Sequence, residues 1–355
     1  MQTTILKIVL FPFAMLYGFG ISLRNFLYKT KVLKSFRFDI PIISVGNLSV
    51  GGAGKTPHIE YLIQLLKPYI ELSTLSRGYK RKTQGFRLVE STDNAELVGD
   101  EPLQYKRKNP DITVAVGENR VLAVPEILKS NRDLQLILLD DAFQHRAIQP
   151  GLNVLLTEYN NLYPNDFLLP VGRLRELPTA AERADVIIVT KCPMTLSGAD
   201  RARVTQLINP LPHQQLYFSY YAYQRTPYYL FNPNYELPLD KTLDVLLVSG
   251  IARADYLIDY LKTKVNSVRI LEYGDHHYFN EAEIGEMEKI FNNIDSKNKT
   301  ILTTEKDAMR LELHHQYLIE KRLPLFALPV EVVFHDNDKK GFDDKVKNWL
   351  LDFKA

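Results

Sequence analysis

The sequence has almost no cysteine and none of the spacings typical of zinc sites. Of its 355 residues only Cys192 is a cysteine, so an intramolecular disulfide is impossible and a reducing compartment is favoured. Neither CxxC nor HExxH occurs, which argues against a structural metal site. Internal repeats and low-complexity tracts are absent as well. With 45% hydrophobic and 24% charged residues, the composition is that of an ordinary globular chain whose length allows two cores.

Net charge is also small, at +2, which argues against a nucleic-acid-binding protein. The charge is uneven, however, because residues 1–38 contain six basic residues and no acidic one. The apolar run from Ile8 to Leu23 within them is shorter than the roughly 20 residues of a spanning helix. Such a segment is typical of proteins that meet an anionic membrane surface. We predict an uncleaved helix that lies in the membrane or inserts shallowly; a signal peptide and a buried core helix are the alternatives.

A glycine-rich turn lies between a strand signal and a helix signal. The apolar run Ile40–Val45 predicts a buried strand, and apolar residues recur at helical spacing over 59–66. In this context the backbone N–H groups of the turn converge on a phosphate, Lys55 adds a charge and the Thr56 hydroxyl reaches Mg²⁺. The alternative is a turn that merely joins strand to helix. The predicted nucleotide-binding residues of the turn are Ser49, Val50, Gly51, Gly52, Ala53, Gly54, Lys55 and Thr56.

Short apolar runs alternate with helical patterns from Ile40 to Lys191, as in a parallel sheet covered by helices on both faces. The predicted strands are Ile40–Val45, Ile70–Leu75, Ile112–Val116, Leu134–Leu139, Leu152–Thr157 and Val186–Thr190. The predicted fold is therefore α/β and P-loop NTPase-like.

A second, smaller α/β pattern begins near Val245. The aromatic residues between Leu216 and Phe231 could stack bases, but strands that link two domains explain them better. We therefore predict the following organisation: an N-terminal membrane-associated helix over 1–38, a P-loop domain over 39–215, linker strands over 216–235, a smaller α/β domain over 236–330 and a segment over 331–355 that packs back on the P-loop domain.

Polar clusters follow the predicted strands, where parallel sheets bind ligands. Asp140 and Asp141 end an apolar strand and have the form of a Walker B element, in which a carboxylate holds Mg²⁺ directly or through water. Asp100 and His276 are ambiguous individually, because an Asp before Pro is typical of turns and Asp-His-His of metal ligands. In a kinase, however, an Asp that accepts the acceptor hydroxyl's proton is expected, and a His could orient it. Sequence alone does not bring these two residues together.

Seven sequence motifs, taken in chain order, resemble those of the tetraacyldisaccharide 4′-kinase (lipid A 4′-kinase) family. They are Ser-Val-Gly-Gly-Ala-Gly-Lys-Thr-Pro (49–57), Ser-Arg-Gly-Tyr (76–79), Gly-Asp-Glu-Pro (99–102), Asp-Asp-Ala-Phe-Gln-His-Arg (140–146), Leu-Arg-Glu (174–176), Asp-His-His (275–277) and Thr-Glu-Lys-Asp (304–307). The basic, apolar N-terminus resembles the family's membrane helix too.

The resemblance implies an enzyme that moves the γ-phosphate of ATP, with Mg²⁺, onto the 4′-hydroxyl of a tetraacylated glucosamine disaccharide 1-phosphate in lipid A biosynthesis. It implies a location at the cytoplasmic face of the bacterial inner membrane. The partners that it implies are an acylated disaccharide and the membrane surface, with neither nucleic acid nor an obligate protein partner. By the same resemblance Asp100 is the catalytic base and His276 its partner. The other residues that match are Lys55 and Arg175 as phosphate ligands and Thr56, Asp140, Asp141 and Glu176 at the metal.

Other P-loop proteins fit the sequence less well. A regulatory GTPase would need an Asp shortly after Thr190-Lys191, where Cys192-Pro193 follows. A partition-type ATPase usually has a lysine where Val50 stands. A nucleotide-binding scaffold would need neither Asp100 nor His276. The alternative function is a membrane-associated ATPase of the partition or switch type that acts on a protein partner.

Overall fold

The computed structural model describes residues 2–354, and their contacts divide the chain into two units. Unit 1 comprises Met1–Arg77, Gly117–Tyr221 and Val332–Ala355, and unit 2 comprises Gly78–Val116 and Ala222–Glu331. The strands are β1 (Ile42–Asn47), β2 (Leu72–Ser76), β3 (Arg87–Leu88), β4 (Thr113–Val116), β5 (Leu136–Asp140), β6 (Leu152–Glu158), β7 (Val186–Thr190), β8 (Gln215–Ala222), β9 (Tyr228–Tyr229), β10 (Asn232–Glu236), β11 (Asp244–Ser249), β12 (Ser267–Glu272), β13 (Lys299–Thr304), β14 (Leu325–Leu328) and β15 (Glu331–Phe334).

Residues 2–354 contain eleven α-helices, several of which are the crossovers that parallel strands require. They are α1 (Gln2–Lys29), α2 (Lys55–Leu66), α3 (Ala95–Val98), α4 (Asp100–Lys108), α5 (Arg120–Ser130), α6 (Gly198–Ile208), α7 (Asp255–Lys264), α8 (Glu281–Asn292), α9 (Glu305–Leu311), α10 (His315–Glu320) and α11 (Asp338–Leu351).

In unit 1 the strands lie in the order β15-β8-β7-β6-β1-β5-β2. All neighbouring pairs from β8 to β2 are parallel. Every residue of β1, β2, β5 and β7 is buried, because helices cover both faces of the sheet. The predicted α/β, P-loop NTPase-like architecture is confirmed, and each of the six predicted strands is present with ends shifted by at most two residues.

The residues that predicted a helix after the glycine-rich turn lie on the buried face of α2. Ile59, Leu62, Ile63 and Leu66 are each at most 3% exposed. The end of the chain packs on the same unit, since the Tyr61 ring of α2 lies 5.1 Å from Phe334 of β15 and 5.9 Å from Phe342 of α11. The Phe334 and Phe342 rings stack at 4.9 Å. Residues 332–355 are therefore part of unit 1.

Unit 2 contains a second sheet in the order β10-β9-β14-β13-β11-β12. Strands β12, β11, β13 and β14 are parallel to one another, whereas β9 and β10 join antiparallel at the β14 side of the sheet. The chain turns to opposite sides of β11 when it forms β12 and then β13, which makes the carboxyl end of β11 a topological switch point. Ligands of open α/β sheets bind in the crevice at such points.

The division of the chain differs from the predicted boundaries at two places. Residues 216–235 were predicted as linker strands, but they are divided between unit 1, which includes Tyr221, and unit 2, which begins again at Ala222. Residues 78–116 were predicted within the P-loop domain over 39–215, but they belong to unit 2. Ion pairs link these residues to distant parts of unit 2: Lys108 of α4 bonds Glu305 of α9 at 2.8 Å, and Arg107 pairs with Glu312. Such contacts join segments about 200 residues apart in sequence, and local sequence patterns do not reveal them.

The helix α1 is longer than the predicted apolar run. It covers 28 residues, about 42 Å at 1.5 Å per residue, and the segment Leu6–Lys29 is apolar and long enough to cross a membrane. Only 11% of its apolar window is buried, so the alternative of a buried core helix is wrong. Hydrogen bonds attach it to the rest of unit 1: Tyr17 Oη donates to the Arg175 carbonyl (3.1 Å), Arg24 to the Gln144 carbonyl (2.8 Å) and Asn25 to Glu176 (3.4 Å), and Arg146 donates to the carbonyl and side-chain oxygens of Asn25 (3.2 and 3.0 Å).

Candidate functional site

The loop over residues 48–54, called the phosphate loop below, joins β1 to α2. Gly51 and Gly54 have φ angles of 108° and 91°, which side chains other than glycine rarely adopt. Two bonds fix the start of the loop: Val50 N–H donates to the Arg173 carbonyl at 2.7 Å, and Asn47 Nδ2 donates to the Ser49 carbonyl at 2.6 Å. A Cβ on Gly46 would lie 2.7 Å from that of Phe143, so the ends of β1 and β5 approach closely there.

Lys55, Asp141 and Arg175 form one charged cluster beside the phosphate loop. Arg175 donates to both carboxylate oxygens of Asp141 at 2.8 and 3.1 Å, while Lys55 Nζ lies 3.7 Å from the same carboxylate. The Asn47 side-chain oxygen accepts from Arg175 at 2.6 Å and from Lys55 at 3.3 Å. Two cations thus face one carboxylate, and their excess charge is available to an anion.

Burial alone would raise the pKa of Asp141, but Lys55 and then Arg175 outweigh it and hold that pKa well below its usual range. Asp141 has a φ of 45°, in the left-handed region that Asp and Asn tolerate better than most residues. Asp140 is 1% exposed and ends β5, directly beside Val45 of β1. Thr56, in the first turn of α2, is also buried. The structure thus places Thr56, Asp140 and Asp141 in the region of the phosphate loop.

Glu176 has a different environment from the other predicted metal ligands. Its buried carboxylate bonds Arg183 at 2.9 Å and accepts from Asn25 at 3.4 Å. Among residues 2–354 no group of three or more His, Cys, Asp or Glu side chains is arranged to hold a metal. The oxygen donors of Thr56, Asp140 and Asp141 nevertheless suit Mg²⁺, which keeps several waters and binds through one or two carboxylates and the phosphates of a nucleotide.

Asp100 and His276, 176 residues apart, meet in unit 2. Nδ1 of His276 lies 3.0 Å from Oδ2 of Asp100, and Oδ1 accepts the Glu101 N–H at 2.9 Å. Asp100 begins α4, whose N-terminal dipole favours a negative charge. His276 follows β12 with a φ of 54° and donates its own N–H to the Gly250 carbonyl beyond β11. The pair therefore lies at the switch point of the second sheet.

Lys306 contacts the other nitrogen of His276. Its Nζ lies 3.0 Å from Nε2 and 2.9 Å from Glu101 Oε1. An ammonium group can only donate hydrogen bonds, so Nε2 accepts and the proton of the neutral ring is on Nδ1, from which it is donated to Asp100. Burial works against its charge, but Glu101 and then Asp100 raise the pKa of Lys306 above its usual value. The lysine therefore stays charged and fixes the tautomer of His276.

Arg310 also belongs to this cluster. Its side chain is 0% exposed, lies 3.3 Å from Asp100, pairs with Asp307 and donates to the Gly250 carbonyl at 3.0 Å. Burial would raise the pKa of Asp100, but Lys306, His276 and Arg310 together hold it well below its usual range. Asp100 is therefore a carboxylate at every physiological pH.

Several residues of these clusters were not predicted. Thr-Glu-Lys-Asp (304–307) was recognised as a motif, but no role was assigned to Lys306, and Arg310, Glu101 and Asn47 had no role either. No spacing within one segment signals them, because each acts on residues from another part of the chain. Arg120 is a further example: it is 5% exposed and donates to the Asp140 carbonyl at 3.4 Å.

A protein-family model and several known proteins are similar to this chain. The model of the family described as "Tetraacyldisaccharide-1-P 4'-kinase" matches residues 6–351. The tetraacyldisaccharide 4′-kinases of Flavobacterium psychrophilum and Bacteroides thetaiotaomicron are 45% and 40% identical to this chain. The alignments cover 97% and 96% of this chain and 97% and 92% of those proteins.

A crystal structure of LpxK from Aquifex aeolicus in complex with ATP is similar over 97% of this chain and 99% of its own, with a TM-score of 0.73 and 28% identity. A family model and close relatives thus match nearly the whole length of the sequence. The chain belongs to the tetraacyldisaccharide 4′-kinase family.

Proposed function

We propose that this protein transfers the γ-phosphate of ATP to the 4′-hydroxyl group of a tetraacylated glucosamine disaccharide 1-phosphate, a step of lipid A biosynthesis. Family membership supports the reaction, and the ATP complex of the solved relative supports the nucleotide. The observation that carries the proposal is the 3.0 Å hydrogen bond between Asp100 and His276. A kinase needs such an acid–base pair for the acceptor hydroxyl, whereas a partition or switch ATPase acting on a protein does not.

The phosphate loop and the charged cluster beside it would bind the nucleotide. The N–H groups of Ser49 to Thr56 surround the phosphates, and the α2 N-terminus adds its dipole. Lys55 and Arg175 supply the charges that stabilise the transferring phosphoryl group. Because both already face Asp141, their side chains are held in place before the nucleotide binds.

Mg²⁺ would supply charge neutralisation of the nucleotide phosphates when bound. Thr56, Asp140 and Asp141 would hold it, the hydroxyl and carboxylate oxygens being the ligands that this ion prefers. The ion pair between Glu176 and Arg183 supports another role for Glu176, which is to hold the segment that carries Arg175.

Burial distinguishes the two members of the acid–base pair. The side chain of Asp100 is 3% exposed and receives hydrogen bonds or ionic contacts from Glu101, His276 and Arg310, whereas His276 is 13% exposed. The enclosed carboxylate therefore suits a group that stabilises a protonated imidazole. We assign contact with the acceptor hydroxyl to His276 and its orientation to Asp100, the reverse of the order that the resemblance implied. For His276 to accept the proton at Nε2, Lys306 must release that nitrogen.

The helix α1 would bring the enzyme to its substrate. Its apolar face is exposed, with Phe11, Leu16 and Phe19 at 52%, 71% and 70%, and acyl chains keep the substrate in a bilayer. ATP is made and used in the cytoplasm, so the proposed location is the cytoplasmic face of the bacterial inner membrane.

The test is an assay with Mg²⁺-ATP and a lipid A precursor in detergent micelles, in which lipid-bound phosphate is measured. We expect phosphate transfer to the lipid with one ATP consumed per lipid phosphorylated. ATP hydrolysis that is stimulated by a protein fraction, with no phosphorylated lipid, would instead support the switch ATPase.

A further inference from the structure

His58 is a buried histidine in the first turn of α2 that has no place in the phosphate-transfer scheme above. It is 3% exposed, and both ring nitrogens have partners. Nδ1 lies 2.7 Å from the carbonyl oxygen of Gly54, the last residue of the phosphate loop, and Nε2 lies 3.1 Å from the hydroxyl of Ser219 in β8. A carbonyl only accepts, so Nδ1 carries the proton and Nε2 accepts from Ser219. Burial lowers the pKa of His58 to about 4, which keeps the ring neutral.

The sequence of α2 removes one backbone donor from this turn of the helix. Pro57, its third residue, has no N–H and cannot bond the Ala53 carbonyl as a helix residue normally would. The Thr190 hydroxyl of β7 donates to that carbonyl instead, at 2.9 Å. At the next residue, the His58 backbone N–H reaches the Gly54 carbonyl only at 3.3 Å, longer than the ring contact. Two successive carbonyls of the phosphate loop are thus held by side chains.

Holding a carbonyl also fixes the N–H on the other side of the same peptide. In a trans peptide the two groups point in opposite directions within one plane. The hydrogen bond from His58 to the Gly54 carbonyl therefore sets the direction of the Lys55 N–H, and the bond from Thr190 sets that of the Gly54 N–H. These two N–H groups belong to the part of the loop that cradles phosphate.

We propose that His58, held by Ser219, is a positioning residue that aims the Lys55 N–H at the nucleotide phosphates. The inference deepens the proposed function, because it rests on phosphate binding by this loop. A purely structural role would be different: the ring also meets the edge of Phe334 at a centroid distance of 6.4 Å, and packing there does not depend on which ring nitrogen finds a partner.

Two substitutions distinguish the two hydrogen bonds of the ring, the one to Gly54 and the one to Ser219. In His58→Asn the side-chain NH₂ stands near the position of Nδ1 and can still donate to Gly54, whereas in His58→Gln the amide stands near Nε2 and faces Ser219. Binding of ADP, ATP and AMP to the full chain in detergent micelles is measured by calorimetry. One net hydrogen bond is worth about 1 kcal/mol, so His58→Gln is expected to weaken ADP and ATP binding about five- to tenfold. His58→Asn keeps the bond to Gly54 but loses the contact with Ser219, so it should weaken ADP binding by about threefold, less than His58→Gln does.

AMP, which lacks the β- and γ-phosphates, should be affected less than ADP by His58→Gln. Ser219→Ala removes the second contact without touching the ring, and we expect about a threefold loss of ADP binding. Phe334→Leu is the packing control: it should lower the melting temperature and leave ADP binding unchanged.

Equal ADP affinities in all variants would overturn the inference, and so would equal losses in His58→Asn and His58→Gln. If His58→Gln does not fold, unchanged ADP binding in Ser219→Ala would overturn it. A different result applies to the proposed function: if the unmodified chain binds neither ADP nor ATP, the nucleotide assignment itself fails.

Discussion

The ammonium group of Lys306 and the imidazole of His276 are joined by a 3.0 Å hydrogen bond, with the ring nitrogen as acceptor. This bond and the bond from Nδ1 to Asp100 allow only one neutral tautomer. The side chain at position 306 therefore controls what the acid–base pair can do, although no sequence signal assigned it a role.

We predict that Lys306→Met lowers kcat by about tenfold to a hundredfold, because Nε2 of His276 loses its donor, Asp100 loses a cation that lowers its pKa and Glu101 loses its buried partner. In Lys306→Gln the amide NH₂ can still donate to Nε2, so this variant should keep more activity than Lys306→Met. Steady-state kinetics in micelles with both substrates varied measure this. The KM for ATP should change little, since unit 2 does not contain the phosphate loop. Equal activity of the two variants would contradict a role in hydrogen bonding.

Asp100→Asn and His276→Gln are each expected to lower kcat by about 10²–10⁴-fold, the usual contribution of acid–base catalysis. Because the residues act as one unit, the double variant should lose much less than the product of the two single losses. A double-mutant cycle on kcat provides the measurement. Simple multiplication of the losses would show that the residues act independently.

Lys55→Ala should reduce turnover at least a hundredfold while leaving the fold intact. The charge it removes compensates the γ-phosphate in the transition state, whereas Arg175 still neutralises Asp141 in the folded protein. Turnover and melting temperature are compared with those of Lys297→Ala, an exposed lysine outside both clusters. Normal turnover in Lys55→Ala would be incompatible with nucleotide binding at this loop.

The lowered pKa of Asp141 makes the free energy of unfolding depend on pH. Its pKa is lower in the folded protein than the ordinary 3.8, so its contribution to the free energy of unfolding is complete above about pH 4 and is lost as the pH falls further. Asp141→Asn is the matched change, because Asn tolerates the left-handed backbone. Chemical denaturation should show a deficit for this variant at pH 7 that shrinks towards pH 3. A deficit that is constant with pH would mean that the charge of Asp141 does not stabilise the fold.

Replacing Phe11, Leu16 and Phe19 of α1 with serine should release the protein from anionic vesicles. The basic residues near α1 contribute at most about 1 kcal/mol each, and salt screens them, so 1 M salt should release the unmodified protein only in part. Co-sedimentation measures both effects, and ATP binding should persist in the variant. Substitution is preferable to deletion of α1, which would also remove the bond from Tyr17 to Arg175. Full release by salt alone would show that the apolar face is not an anchor.

Local signals predicted much of this structure. The apolar runs found the strands of the first sheet, because a strand covered on both faces must be apolar throughout. The glycine-rich turn and Asp140 were visible because each lies within a few residues of a strand end. The glycine-rich turn and Asp140 lie near each other because β1 and β5 are adjacent parallel strands.

What escaped prediction depends on contacts between distant segments. Lys306, Arg310 and Glu101 act on Asp100 and His276, and residues 78–116 joined unit 2 through ion pairs such as Lys108 with Glu305. His58 was not singled out from the sequence. Its hydrogen bond to Gly54 joins residues only four apart, but its other partner, Ser219, lies 161 residues further on. Such partners have no periodicity that a single sequence could reveal.

The chain passes between the two units four times, and this has a consequence for synthesis. Strand β15 and helix α11, which complete unit 1, leave the ribosome about 300 residues after α1. Until then the edge of β8 is uncovered and the Tyr61 ring lacks Phe334 and Phe342. The apolar α1 is thus complete long before the sheet that follows it can close. Messages truncated near their 3′ end would yield chains with a complete α1, an exposed strand edge and a strong tendency to aggregate.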